Sequence, residues 1–335
     1  MTDNAYTRRV FLQRSLAMIS ATGTLPLFLQ RSAFAIDNPL DAPLTSSRPG
    51  VPDDRILVVV QLGGGNDGLN TVVPYADSAY HNARPYIGIK ENQVIKLDTH
   101  GKTDGFGLHP SLGPLKDLYD EGLVSILQGV GYPNPNRSHF KSMDIWHTAS
   151  PETGGQGNGW IGRYFDNTCA GEPEANACIA IGDKAPLATY GEKISPIAFD
   201  DANLFRWVGS ELHPDLARSY DQINRAGQDA TADPDNPAAF LTRTALDAQV
   251  SSEKIRSAMA KPTEQSYPNS RLARSLKMIS AMIRAELGTR VYYASMSGFD
   301  THAGQLGNHN RLMRDFAGAV SAFYKDLKKQ GNASR

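Results

Sequence analysis

A chain of 335 residues that is 40% hydrophobic and 21% charged has the composition of a globular protein, long enough for one large domain or two small ones. The formal net charge is −1. Four arginines against one aspartate give residues 1–35 a charge of +3 and leave −4 for the rest, and so mildly acidic a body excludes any charge-based expectation of nucleic-acid binding.

The N-terminus carries an address. "TRRVFLQ" (Thr7 to Gln13) has paired arginines before Phe-Leu, then a modestly apolar stretch from Ser15 to Leu29, then "SAFA" ending at Ala35. Charged, apolar and small-residue parts in that order are those of a secretory signal. The arginine pair makes it similar to a twin-arginine (Tat) signal, with Gln13 where lysine is more usual. A membrane anchor is the alternative, but Thr and Gly interrupt the apolar stretch, whereas a spanning helix needs about 20 apolar residues. The expectation is a signal over 1–35, a Pro/Asp/Ser-rich linker over 36–54 and one α/β domain over 55–335. The mature protein is then periplasmic or secreted, with no stable transmembrane segment.

Ile56 to Leu62 is a continuous apolar run, the pattern of a central strand covered on both faces. It stops at Gly63, and Gly63 to Gly68 satisfies G-x-G-x-x-G. A dinucleotide loop must open a helix facing the pyrophosphate. Here Val72, Val73 and Pro74 make a poor first turn, and Asp67 would repel phosphates. The other reading makes Asp67, at the strand mouth, a ligand for a hard or borderline metal. A plain turn aspartate is the alternative.

"HPSLGPLKDLYDEG" (His109 to Gly122) predicts a helix, with Ser111 as N-cap and Leu112, Leu115 and Leu118 on one face. Leu123 to Gly131 predicts a second buried strand. Ser138 then caps a helix running to about Ala149. A hydroxyl there lies in the field of a helix N-terminus, a good seat for a metal-activated nucleophile. A plain capping serine is the alternative. Arg137 is a candidate anion holder, and His139 a candidate base or ligand.

"WIGRYFDN" predicts a short helix and Ala177 to Gly182 a third strand. The next hundred residues are mostly helical, including "HPDLARSYDQIN" and "AAFLTRTALDAQVSSEKIRSAM", broken by the Pro/Asp-rich stretch Ala232 to Pro237. "SRLARSLKMISAMIRAEL" is amphipathic. "TRVYYASMSGFDTH" is a strand that delivers Asp300 and His302. Two residues apart in extended backbone, they point the same way and can reach one ion, and a solvated loop pair is the alternative. A last helix runs from about His309 to Lys329. Cys169 and Cys178 can pair in an oxidising compartment or remain two thiols, and two cysteines do not make a metal site. Strands alternating with helices, with polar residues after strand ends, predict an α/β fold with a mainly parallel sheet sandwiched by helices.

"LGGGNDGLNTVVPY", the block from Leu108 to Ala149, "GWIGRYF" and "GFDTHAGQ" together resemble the segments that mark bacterial domain-of-unknown-function family 1501. Its members commonly begin with a Tat signal. The family is similar in fold to the alkaline phosphatase and sulfatase superfamily. That resemblance implies Asp67, Asp300 and His302 as ligands of a divalent metal (zinc, calcium or manganese) and Ser138 as the nucleophile, acting on a phosphate or sulfate ester. Members continue with a further strand and an Asp-His-Gly segment, so the resemblance implies a chain lacking its C-terminal strands. The rival expectation is a non-catalytic exported binding or assembly protein, since members are often encoded beside another uncharacterised family, number 1800.

Overall fold

The computed structural model describes residues 55–99, 102–168, 176–192, 194, 196–202, 222 and 252–335. The signal over 1–35, the linker over 36–54, Cys169 with its pairing, the helix of "HPDLARSYDQIN", the break at 232–237 and most of the helix after it lie outside the described residues.

The core is a parallel four-stranded sheet. β1 (Leu57–Leu62), β5 (Cys178–Ile181), β6 (Ile197–Phe199) and β7 (Val291–Met296) lie in the order β1-β7-β5-β6. Leu57 faces Val291 and Leu62 faces Met296 across β1 and β7. Neighbouring side chains leave a strand on opposite faces, and the core divides accordingly. Ile179, Ile181, Ile197, Phe199, Tyr292 and Ala294 join one cluster, whereas Cys178, Ala180, Val291 and Tyr293 join the other. The strands are apolar throughout because both faces are covered. β1 is bonded on one side only, so the run expected to be central is an edge strand among the described residues.

The first face is covered by α6 (Arg271–Arg284) and α7 (Gln305–Lys329), through Leu272, Leu276, Ile279, Leu312 and Met313. Ser270 caps α6 by accepting from Ala273 N at 3.2 Å. The second face is covered by α5 (Trp160–Thr168), with Ile161 and Phe165 fully buried. A carboxylate is buried between α6 and its neighbours. Asp326 is 3% exposed and accepts from Ser280 Oγ (2.7 Å), Thr263 Oγ1 (2.7 Å), Tyr267 Oη (2.9 Å) and Gln330 Nε2 (3.2 Å).

A smaller antiparallel sheet, in the order β2-β4-β3, stands beside the first and was not visible in the sequence pattern. It is built from β2 (Val72–Val73), β3 (Ile95–Thr99) and β4 (Lys102–Leu108). β3 and β4 slip register between Lys96 and Asp98. Val73, Tyr75, Tyr80 and Ile89 form a third small core under it.

The predicted helix at 109–122 is a 3₁₀ turn at Pro110–Leu112 followed by α3 (Gly113–Asp120). His109, rather than Ser111, caps the turn: its Nδ1 accepts from Ser111 N at 3.1 Å. The strand expected at Leu123 to Gly131 is not one. Its residues are irregular and largely exposed, with Leu127 at 77% and Val130 at 63%. A strand needs a neighbour to bond, and no described backbone group pairs with residues 124–131. No described helix is long and apolar enough to cross a membrane.

Candidate functional site

The polar loops meet where β1 and β7 end, outside the carboxyl ends of the parallel strands, where α/β sheets place their sites. Two backbone bonds join the strand ends: Gly63 N donates to Met296 O at 2.9 Å, and Phe299 N to Gly63 O at 3.2 Å. The three glycines after β1 let the loop from β7 come in close. Gly64 has φ +103° and Gly65 φ +82°, backbone that side chains rarely adopt. A Cβ on Gly64 would lie 2.9 Å from the backbone nitrogen of Asp300.

Asp300 is shared by two histidines. His302 Nε2 lies 2.7 Å from Asp300 Oδ1, and His139 Nε2 lies 3.2 Å from the same oxygen. One ligand atom from each residue falls within 4.8 Å of the other two, the spacing of a candidate metal centre. Asp300 and His302 come from the loop after β7. His139 is the first residue of α4 (His139–Thr148), an element 161 residues away from Asp300 in the chain.

Asp67 takes a different part. It caps the single turn α1 (Gly68–Thr71), with Oδ1 accepting from Asn70 N at 3.2 Å. The β-branched Val72 and Val73 end that turn by pairing into β2, so no dinucleotide-type helix follows the glycines. Asp67 Oδ2 accepts from Arg84 Nη1 at 2.6 Å and from Gln305 Nε2. Asp67 thus lies in the same cleft as Asp300 and His302 but is held by an arginine, and the third member of their cluster is His139.

Ser138 sits at the N-cap of α4 with extended backbone, yet its hydroxyl makes no capping bond. Its backbone N donates to Asn136 Oδ1 at 2.8 Å. It is exposed, adjoins His139 in sequence, and is not one of the residues lining the cleft.

The cleft has a volume of about 790 Å³. It is lined by Gly65 to Leu69, Arg84, Leu127 to Val130, His139, Asp300, His302 and Gln305, among others. Beneath it lie two buried histidines. His309 Nε2 is 3.2 Å from Asn66 Oδ1, and the His309 ring meets that of His109 edge-on at 5.2 Å. Burial, then the neighbouring His309, pushes the pKa of His109 down to about 4. Burial lowers that of His309 as well, against the pull of Asp67. Further along β1, Gln61 Oε1 accepts from Tyr293 Oη at 2.6 Å and lies 2.9 Å from His147 Nε2, whose pKa burial also lowers. Among the described residues Cys178 has no disulfide partner, and burial pushes its thiol up to about 12.

Fold and site define an α/β protein with a polar cleft at the ends of its parallel strands and a cluster of one carboxylate and two imidazoles at the rim. Residues 54–334 match the family described as "Protein of unknown function (DUF1501)", and the chain belongs to that family. No curated protein and no solved structure matches it.

Proposed function

We propose that this protein is a metal-dependent hydrolase of phosphate or sulfate esters, on an alkaline-phosphatase-like version of its α/β fold, exported through the Tat route to the periplasm or beyond. The observation that carries the reading is the convergence of His139, Asp300 and His302 on one point at the cleft rim. Two imidazoles and a carboxylate suit zinc, and manganese next; calcium prefers an all-oxygen set. Three protein ligands are also the number that catalytic zinc sites use, keeping a position open. A divalent ion held there supplies Lewis acidity toward an ester oxygen and lowers the pKa of a bound water or hydroxyl.

The chain's own residues divide the remaining work. Asp300 is the carboxylate that the two imidazoles share, with both Nε2 atoms within 3.2 Å of its Oδ1. The bond from Gln305 to Asp67 ties together the two segments of the cleft lining that carry them. Ser138, which adjoins His139 in sequence but does not line the cleft, is the nucleophile of this reading through the family resemblance. The anionic ester enters the cleft. The test uses the full chain, zinc analysis and hydrolysis of p-nitrophenyl phosphate and p-nitrophenyl sulfate. Hydrolysis lost in His302→Ala and Asp300→Asn supports the reading. A metal-free protein that hydrolyses neither ester sinks it, and full activity in Ser138→Ala removes that serine from the mechanism.

A second reading rests on a different observation. Leu69, Leu127 and Val130 line the cleft yet are 50%, 77% and 63% exposed. Apolar side chains displayed beside a polar cleft suit a binding or assembly protein that keeps the fold without the chemistry, with a co-exported protein as partner. Metal content separates the two readings.

A further inference from the structure

The cleft holds a second feature at Arg84, which lines it together with the histidines. Arg84 bonds end-on to Asp67: Nη1 alone reaches Oδ2, at 2.6 Å, and the same nitrogen lies 3.4 Å from Asn70 Oδ1. A guanidinium has five N–H donors. Arginine–carboxylate pairs are frequently bonded through two nitrogens. Here Nε and Nη2 have no protein partner among the described residues, and the side chain lines the cleft.

The support beneath Arg84 is rigid. Its guanidinium carbon stands 5.7 Å from the centre of the Tyr80 ring, and Tyr80 is 4% exposed. Tyr80 Oη donates to Asn70 Oδ1 at 2.7 Å and accepts from Ile89 N at 2.8 Å. Asn70, 2% exposed, donates to Ile87 O at 2.8 Å. Asp67 does not depend on Arg84, because Gln305 and the Asn70 backbone also hold it. These contacts fix one nitrogen of Arg84 and leave its side fork, Nε with Nη2, for two oxygens of a ligand.

We infer that Arg84 is the oxyanion anchor of this cleft, binding a phosphate or sulfate group through Nε and Nη2. The inference deepens the hydrolase reading and rests on it for the source of the anion, an ester or its product. The anchor itself is a binding property and is tested as one. Asp67 and Asp300 outweigh Arg84 in formal charge, so a divalent cation at the histidine cluster turns the cleft from net negative to net positive. Anion binding is therefore coupled to the metal.

Inorganic phosphate, and in a second arm inorganic sulfate, is titrated calorimetrically into the zinc-loaded full chain. The tighter of the two identifies the anion. Arg84→Lys keeps the charge and loses the fork, and Arg84→Gln loses both. The expected result is a Kd raised about tenfold by Arg84→Lys and further by Arg84→Gln, with zinc affinity unchanged. In wild-type protein, which needs no variant to fold, phosphate should protect Arg84 from phenylglyoxal modification. Unchanged anion affinity in Arg84→Lys, or no protection, overturns the inference. If esters are hydrolysed while Arg84→Lys keeps the wild-type anion Kd and KM, the anchor falls and the hydrolase stands. If Arg84→Lys loses anion binding in a protein that hydrolyses no ester, the anchor stands and the hydrolase falls.

Discussion

The His139 ring lies against Gly65, in the space that any side chain at that position would occupy. A Cβ there would be 2.3 Å from His139 Cε1 and 2.9 Å from Nδ1. Gly65 also has φ +82°. Gly65→Ala is therefore expected to cost roughly 1–2 kcal/mol of stability from the backbone alone. It should also push His139 away from Asp300. The check is a urea titration together with zinc affinity. The placement of His139 predicts that both fall. A variant with unchanged zinc affinity would show that this imidazole is not a ligand.

The buried histidines predict acid sensitivity. His109 has a lower pKa in the folded chain than unfolded, about 4 against 6.5. The unfolded chain therefore binds more protons between those values, and stability rises with pH across the window. The contribution is complete above about pH 6.5 and is lost as pH falls towards 4; its size is on the order of 3 kcal/mol. His109→Asn keeps an acceptor for Ser111 N but removes the titrating ring. Urea midpoints measured from pH 7 to pH 4.5 should fall less steeply for this variant than for wild type. Parallel curves would count against the assignment.

Asp326 predicts a second loss at lower pH. Burial raises its pKa, but the bonds from Ser280, Thr263, Tyr267 and Gln330 outweigh that and hold it below 3.8. A depressed carboxylate stabilises above its unfolded pKa and loses that contribution as pH falls through the folded value. The acid arm below about pH 4 is the window. Asp326→Ala leaves the hydroxyls of Ser280, Thr263 and Tyr267 without their acceptor, while Gln330 Nε2 keeps Ser280 Oγ, at a cost of about 3 kcal/mol by chemical denaturation. A loss below about 0.5 kcal/mol, the level of an ordinary surface substitution, would show that the network is not structural.

Much of the sheet was legible because buried parallel strands are short apolar runs ended by glycine. The strands at 57–62, 178–181 and 291–296 all follow that rule. Residues 123–131 obey it too and form no strand, because composition does not state whether a bonding edge is available. The hairpin of β3 and β4 was hidden by glycines at 105 and 107 and by its register slip. In the site, Asp300 and His302 were legible as a pair because they follow one strand end two residues apart. His139 was legible only as a histidine after a helix cap, since its partner is 161 residues away. Arg84 left no signal, because residues 74–94 show neither the 3.6-residue spacing of a helix nor the two-residue alternation of a strand. Asp67 was found, but sequence alone does not state that a guanidinium lies 2.6 Å from it.

The most direct test of the account is zinc binding to the folded full chain by calorimetry, with Asp300→Asn, His302→Gln and His139→Gln measured beside wild type. The account predicts one zinc per chain in wild type and about tenfold or greater loss of affinity in each variant. Absence of zinc binding in wild type, or equal affinity in all four proteins, would contradict it.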